Sequence, residues 1–204
     1  MKIAIVDSGL GLVSLLKMIV YFRLKHDIDL IFSKNFPLGN CSLSELEETA
    51  KDIEDRINKK NYDLVIIMCN TLSTIMRNKS YIKILDYNLK YLKDNKDAFP
   101  VGTKNTIDFL KKGYADEYLA KDIEEDNLKH IIFDINRWPV KKEYLLCCTH
   151  YKLVENIISM IKKEAKVTDL TSKVFEDLLF FPQSDQLKIN YGGKENIIKK
   201  YLKF

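Results

Sequence analysis

Short apolar runs, each closed by a small or turn-forming polar residue, alternate along the chain with longer segments whose apolar positions recur at helical spacing. That alternation predicts βαβ units, a mainly parallel sheet and hence the α/β class. Ile3 to Val6 predict a strand ending at Asp7-Ser8-Gly9, and Leu12 to Phe22 a helix. Ile28 to Phe32 predict a second strand, followed by a loop from Ser33 to Cys41. A helix begins near Ser44, where Ser-Leu-Ser-Glu-Leu-Glu supplies capping residues and early acids. Leu64 to Met68 predict a third strand that runs straight into Cys69-Asn70-Thr71. After the polar stretch from Lys90 to Asp97, Phe99 to Val101 open a second set, with a turn at Gly102-Thr103 and a helix from Asn105 to Lys112. Ile131 to Ile135 and Tyr144 to Cys147 are expected as strands, the latter leading through Cys148-Thr149-His150 into a helix from Lys152 to Lys163. A strand from Val167 to Leu170 and helices from Lys173 to Leu179 and Glu195 to Leu202 close the pattern.

Composition narrows the function classes. The 204 residues are 46% hydrophobic and 30% charged, which excludes a disordered, collagen-like or coiled-coil chain and suits one large domain or two small lobes. The net charge of +4 comes from scattered lysines interrupted by acids, as between Lys121 and Lys129, so no nucleic-acid-binding stripe is expected. Asp7 cuts the first apolar run before any secretory signal can form, and Lys17 breaks the longest apolar candidate, between Leu10 and Phe22. A soluble, cytoplasmic protein is the expectation, with Cys41, Cys69, Cys147 and Cys148 as reduced thiols. No metal site is expected, because no CxxC or HxxxH spacing occurs and His26, His130 and His150 stand in unrelated contexts. No lysine suggests a pyridoxal phosphate Schiff base, and neither a P-loop nor GxGxxG is present, so no cofactor is expected. Tyr87, Tyr91 and Leu92 read as core or interface, Trp138 beside Pro139 as a loop anchor, and Lys199 and Lys200 as a solvated helix face.

One internal echo carries chemistry. An apolar strand ends in Cys-Asn-Thr at Cys69 and again in Cys-Thr-His at Cys148, each time just before a helix. In open α/β sheets ligands sit at the carboxyl ends of strands, where helix N-termini present N–H groups and positive dipole. Both thiols are therefore expected to face a ligand, with pKa values drawn down toward neutrality by the dipole. Inverting a carbon centre requires one acid/base on each face, which two such thiols would supply. Asp7 is positioned in sequence to assist Cys69, and His150 to assist Cys148.

Asp7-Ser8-Gly9-Leu10-Gly11, Pro37-Leu38-Gly39-Asn40, Cys69-Asn70-Thr71, Gly102-Thr103-Lys104-Asn105-Thr106-Ile107 and Cys148-Thr149-His150-Tyr151 occur in the order and approximate spacing of the glutamate racemases, which the chain resembles from end to end. The resemblance implies two pseudo-symmetric, doubly wound lobes facing across an active-site cleft. Residues 1–98 with 167–204 would form the first lobe, carrying Asp7 and Cys69, and residues 99–166 the second, carrying Cys148 and His150. It also implies cofactor-independent 1,1-proton transfer at the α-carbon of glutamate, D-glutamate supplied for peptidoglycan, and a homodimer. Cys69 and Cys148 match the catalytic thiols, with Asp7 and His150 as their assistants, while Ser8, Leu38, Gly39, Asn70, Thr71, Thr106 and Thr149 line the substrate site. Hydroxyls, an amide and backbone N–H groups suit this task because they bind an anion without adding a competing titrating group.

Departures from the family pattern are specific. Leu38 replaces a Tyr, Cys147 a Gly, and Leu12 the second Gly of a Gly-Gly pair. The usual Gly-Asp is missing before Pro37, and an Ala-Cys-Pro segment with an amine-binding Glu has no clear counterpart between Thr106 and Cys148, leaving Glu124 and Glu125 as alternatives. Aspartate or another small carboxylate as substrate, or a binding module that has lost turnover, are the alternative functions.

Overall fold

The computed structural model describes residues 1–202. Its elements run β1 (Lys2–Asp7), α1 (Val13–Tyr21), β2 (Asp27–Phe32), α2 (Leu43–Asn58), β3 (Leu64–Ile67), α3 (Asn70–Ser73), β4 (Ile82–Lys83), α4 (Ile84–Asp94), β5 (Phe99–Gly102) and α5 (Lys104–Leu110). They continue with β6 (Tyr114–Ala115), α6 (Leu119–Glu124), α7 (Leu128–Arg137), β7 (Glu143–Cys147), α8 (Glu155–Ile161), β8 (Lys166–Thr168), α9 (Thr171–Leu178), β9 (Lys188–Asn190) and α10 (Glu195–Tyr201). Short 3₁₀ turns at Leu10–Leu12, Leu38–Asn40 and Thr149–Val154 complete the order.

The strands form two sheets, β4-β3-β1-β2-β9 and β6-β5-β7-β8, in which every pairing is parallel. This is the expected α/β class. Parallel strands are covered on both faces, and β1 shows how its near-continuous apolar run is used. Ile3 and Ile5 enter a cluster with Leu15, Leu16 and Ile19 of α1, while Ala4 and Val6 enter another with Leu46, Ala50 and Ile53 of α2. The α1 cluster also takes in Leu145 and Cys147 of β7, so one face of the second sheet packs into the core of the first. The boundary expected after residue 166 falls inside β8, whose pairing with β7 keeps Lys166 to Thr168 in the second sheet.

Most expected elements are present within a few residues, and α2 begins with the capping box that its sequence suggests. Ser42 Oγ accepts from Glu45 N at 3.4 Å, and Ser42 N donates to Glu45 Oε2 at 2.7 Å. The strand expected at Ile131 to Ile135 is instead the middle of α7. Ile131, Asp134 and Ile135 are buried at helical spacing while Ile132 and Phe133 are exposed, and Asn127 Oδ1 caps the helix at His130 N, 3.4 Å away. The short strands β4, β6 and β9 were not expected; they span two or three residues at sheet edges. Trp138 follows α7 directly and is buried between Tyr144 and Tyr151, with Nε1 donating to Asp116 Oδ2 at 2.9 Å. Among the described residues no helix is long and apolar enough to cross a membrane.

The second sheet's helical layer carries one electrostatic strain. Burial, together with the carboxylates of Asp116 and Asp122, pushes Asp134 up to about 6. Its folded pKa lies above the unfolded value, so its ionisation destabilises the fold above pH 6, and the strain is relieved as pH falls and the carboxyl takes a proton. Asp134→Asn should therefore raise stability at pH 8 by about 1 kcal/mol, or about 3 °C in Tm. Thermal melts at pH 8 and pH 5 check this, the gain being expected to shrink at the lower pH.

Candidate active site

The site lies where the two sheets turn their strand ends toward each other. Asp7 is the last residue of β1, Cys69 follows β3 by one residue, Thr103 follows β5, and Cys148 follows β7 directly. Cys69 and Cys148, from different sheets, line one cavity of about 20 Å³. That volume holds a water molecule and is far too small for an amino acid. Ser8, Leu38, Gly39, Asn70, Thr71, Thr149 and His150 line the same space. Thr106 stands behind it, its Oγ1 3.2 Å from that of Thr71, and Asp7 is fully buried beside it.

Bonds between the sheets hold the cavity shut. Thr149 Oγ1 donates to Asp7 Oδ2 at 3.0 Å, and Leu10 N donates to Glu124 Oε1 at 2.6 Å. These contacts explain the two glycines of Asp7-Ser8-Gly9-Leu10-Gly11. A Cβ on Gly9 would stand 2.0 Å from Glu124 Oε1, and one on Gly11 would stand 2.0 Å from Thr149 Oγ1. Of Glu124 and Glu125, the structure brings Glu124 to the site, while the Glu125 side chain is exposed and lies 3.7 Å from Lys121 Nζ.

Each thiol has its own chain of polar contacts. Cys148 Sγ lies 4.0 Å from His150 Nδ1, and His150 Nε2 lies 3.2 Å from Glu124 Oε1. An ionised carboxylate only accepts, so in that contact Nε2 carries the hydrogen. Burial pulls Glu124 upward, but its bonds with His150 and Leu10 N outweigh it and hold the carboxyl below the usual range. On the other side, Cys69 Sγ donates to Ser8 Oγ at 3.6 Å, and Ser8 Oγ donates to Asp7 Oδ1 at 3.4 Å. Asp7 thus reaches Cys69 through Ser8.

The thiols depart from the expectation of lowered pKa values. Burial, reinforced by the Asp7 carboxylate, raises Cys69 to about 11 against the N–H groups of Leu72 and Ser8. Burial drives Cys148 well above the ordinary thiol value, and Asp7 itself is raised by burial. The dipole cannot reverse this, because α3 has only four residues and Cys148 leads into a 3₁₀ turn, so few peptide dipoles align at either sulfur.

Sequence reasoning passed over Thr103, Phe36 and Ala120. Thr103 Oγ1 completes a hydroxyl triangle with Thr71 at 3.0 Å and Thr106 at 3.2 Å, and its place in a strand-terminal Gly-Thr was a usable signal. Phe36 packs its ring 5.1 Å from that of His150 and, like Ala120, lines the cavity with no sequence signal of its own.

No family model matches the chain. A glutamate racemase of Fusobacterium nucleatum is 31% identical over 217 residues, covering 86% of this chain and 78% of the relative. The chain belongs to the glutamate racemase family. Glutamate racemase 2 of Caldanaerobacter subterraneus is 26% identical over 234 residues, covering 96% of the chain and 85% of the relative. The chain is shorter than its relatives. Among solved structures, the glutamate racemase of Thermus thermophilus bound to β-chloro-D-alanine superposes with a TM-score of 0.78 at 14% identity, covering 100% of this chain and 93% of that one. That of Francisella tularensis bound to D-glutamate gives 0.76 at 20% identity, covering 98% and 93%. These structures show the shared fold. The family assignment makes the protein a racemase-type isomerase.

The Asp7 carboxylate opposes the Cys69 thiolate, so neutralising it should ease ionisation. In Asp7→Asn the pH at which Cys69 becomes alkylated by iodoacetamide should fall, read by mass spectrometry of the Cys69 peptide across a pH series.

Proposed function

We propose that the chain interconverts L- and D-glutamate by a cofactor-independent two-thiol 1,1-proton transfer. The observation that carries this reading is that Cys69 and Cys148 line one small cavity from two different sheets, each with a separate chain of polar contacts. One sulfur, as thiolate, takes the α-proton, and the other, as thiol, protonates the opposite face of the carbanion. His150 Nδ1 accepts the proton of Cys148, and Ser8 with Asp7 performs the same service for Cys69. Burial makes the thiolate scarcer but also a stronger base, which suits a weakly acidic α-proton. Thr71, Thr103, Thr106, Thr149 and Asn70 offer hydrogen bonds to the substrate's carboxylates, with no Lys or Arg among the residues lining the cavity. Substrate entry in this reading takes a parting of the lobe built on the first sheet from the lobe built on the second, which includes β8. The resemblance further supports D-glutamate supply for peptidoglycan, a cytoplasmic location and a homodimer.

Leu38, 1% exposed and apolar at the cavity wall, favours a second reading in which aspartate or another small carboxylate is the substrate. Circular dichroism of a panel of amino acids incubated with the purified protein, without added pyridoxal phosphate, metal or nucleotide, separates the two.

Cys69→Ser and Cys148→Ser should each lower racemisation by about 10²-fold or more. Each should still exchange the α-proton of one enantiomer in D₂O, with opposite preferences: L-glutamate in Cys69→Ser and D-glutamate in Cys148→Ser, by family resemblance. Mass spectrometry of both enantiomers reads the deuterium. Identical preferences in the two variants would mean that one base serves both faces.

A further inference from the structure

Asn88 occupies a place on α4 where the buried stripe of Ile84 and Leu85 calls for another apolar side chain, and it is fully buried. Its Nδ2 donates to Asn70 Oδ1 at 2.8 Å. Two atoms of this amide pair, Asn88 Oδ1 and Asn70 Nδ2, are buried without a protein partner. A buried amide that leaves an acceptor unmade costs more than an apolar side chain of the same size would. Core stability alone therefore does not account for Asn88. Asn70 itself is 3% exposed and lines the cavity between the thiols.

We propose that Asn88 is a positioning residue for the reaction. By occupying Asn70 Oδ1, it fixes the Asn70 amide so that the unpartnered Nδ2 is presented to the cavity as a donor to a substrate carboxylate. A single bond is enough, because an amide whose oxygen is claimed from behind has its NH₂ group turned away from the claimant. This role rests on the reading of the cavity as an amino-acid site. It links α4, which touches none of the reacting atoms, to substrate binding.

Asn88→Leu, which keeps the branched four-atom shape of the side chain but is bulkier, is the primary test, and Asn88→Ala the second should the first fail to fold. Either should raise KM for glutamate about tenfold, the scale of one hydrogen bond, with kcat changed less than about threefold. The split of KM from kcat, rather than melting temperature, separates positioning from a purely structural role, because Asn88→Leu also strands the buried Asn70 Oδ1. In a double-mutant cycle, Asn70→Ala should raise KM at least as much, and adding Asn88→Leu should raise it no further. An unchanged KM in both Asn88 variants, or KM effects that multiply in the double variant, would overturn the proposal. Side-chain amide NMR supplies an arm independent of turnover. The Asn70 NH₂ resonances should shift and exchange faster with solvent in the Asn88 variants, and resonances that stay unmoved would overturn the proposal. A wild-type protein that turns over no amino acid would overturn the racemase reading, with the NMR comparison still deciding the role of Asn88.

Discussion

Everything at this site depends on how closely two parallel sheets bring their strand ends together. Leu10 N reaches Glu124 at 2.6 Å and Thr149 Oγ1 reaches Asp7 at 3.0 Å, distances possible only because Gly9 and Gly11 have no side chains. The proposed two-thiol reaction needs this approach, since groups acting on two faces of one carbon must both lie close to it. The glycines follow from the contact rather than from any need for a left-handed backbone.

The same closeness sets the electrostatics. A 20 Å³ cavity excludes bulk water, so burial dominates every ionisable group in it and lifts both thiols and Asp7. Against this the protein places local hydrogen bonds: N–H groups aimed at each sulfur, Ser8 between Cys69 and Asp7, and Glu124 accepting from His150. In the proposed reaction, a parting of the sheets to admit substrate would rehydrate these groups and its reversal would strip them again.

Polar groups around the thiols are layered. Thr71, Thr103 and Thr106 satisfy one another's hydroxyls at 3.0–3.2 Å, so no buried hydroxyl of the three is stranded. Asn70 and Asn88 behave differently, retaining unpartnered atoms in the same region. A self-satisfied set of hydroxyls and an amide with unpartnered atoms thus lie in the same region of the site.

By itself the sequence determined the α/β class, the strands from Ile3, Ile28, Leu64 and Tyr144, and the placing of both thiols at strand ends. These are local properties: a strand buried on both faces must be apolar throughout, and the turn that ends it must be small or polar. Helix α7 was misread because Ile131 to Ile135 are locally as apolar as a strand, and only its packing reveals which of them face the core. Two- and three-residue strands such as β4 and β9 carry too few residues for any period to show. Tertiary structure alone decided that Glu124 rather than Glu125 meets His150, that Ser8 stands between Asp7 and Cys69, and that Asn88 backs Asn70. It also reversed the expected direction of the thiol shifts, because a dipole is legible from the residues that start a helix, whereas desolvation depends on what the rest of the chain folds over them.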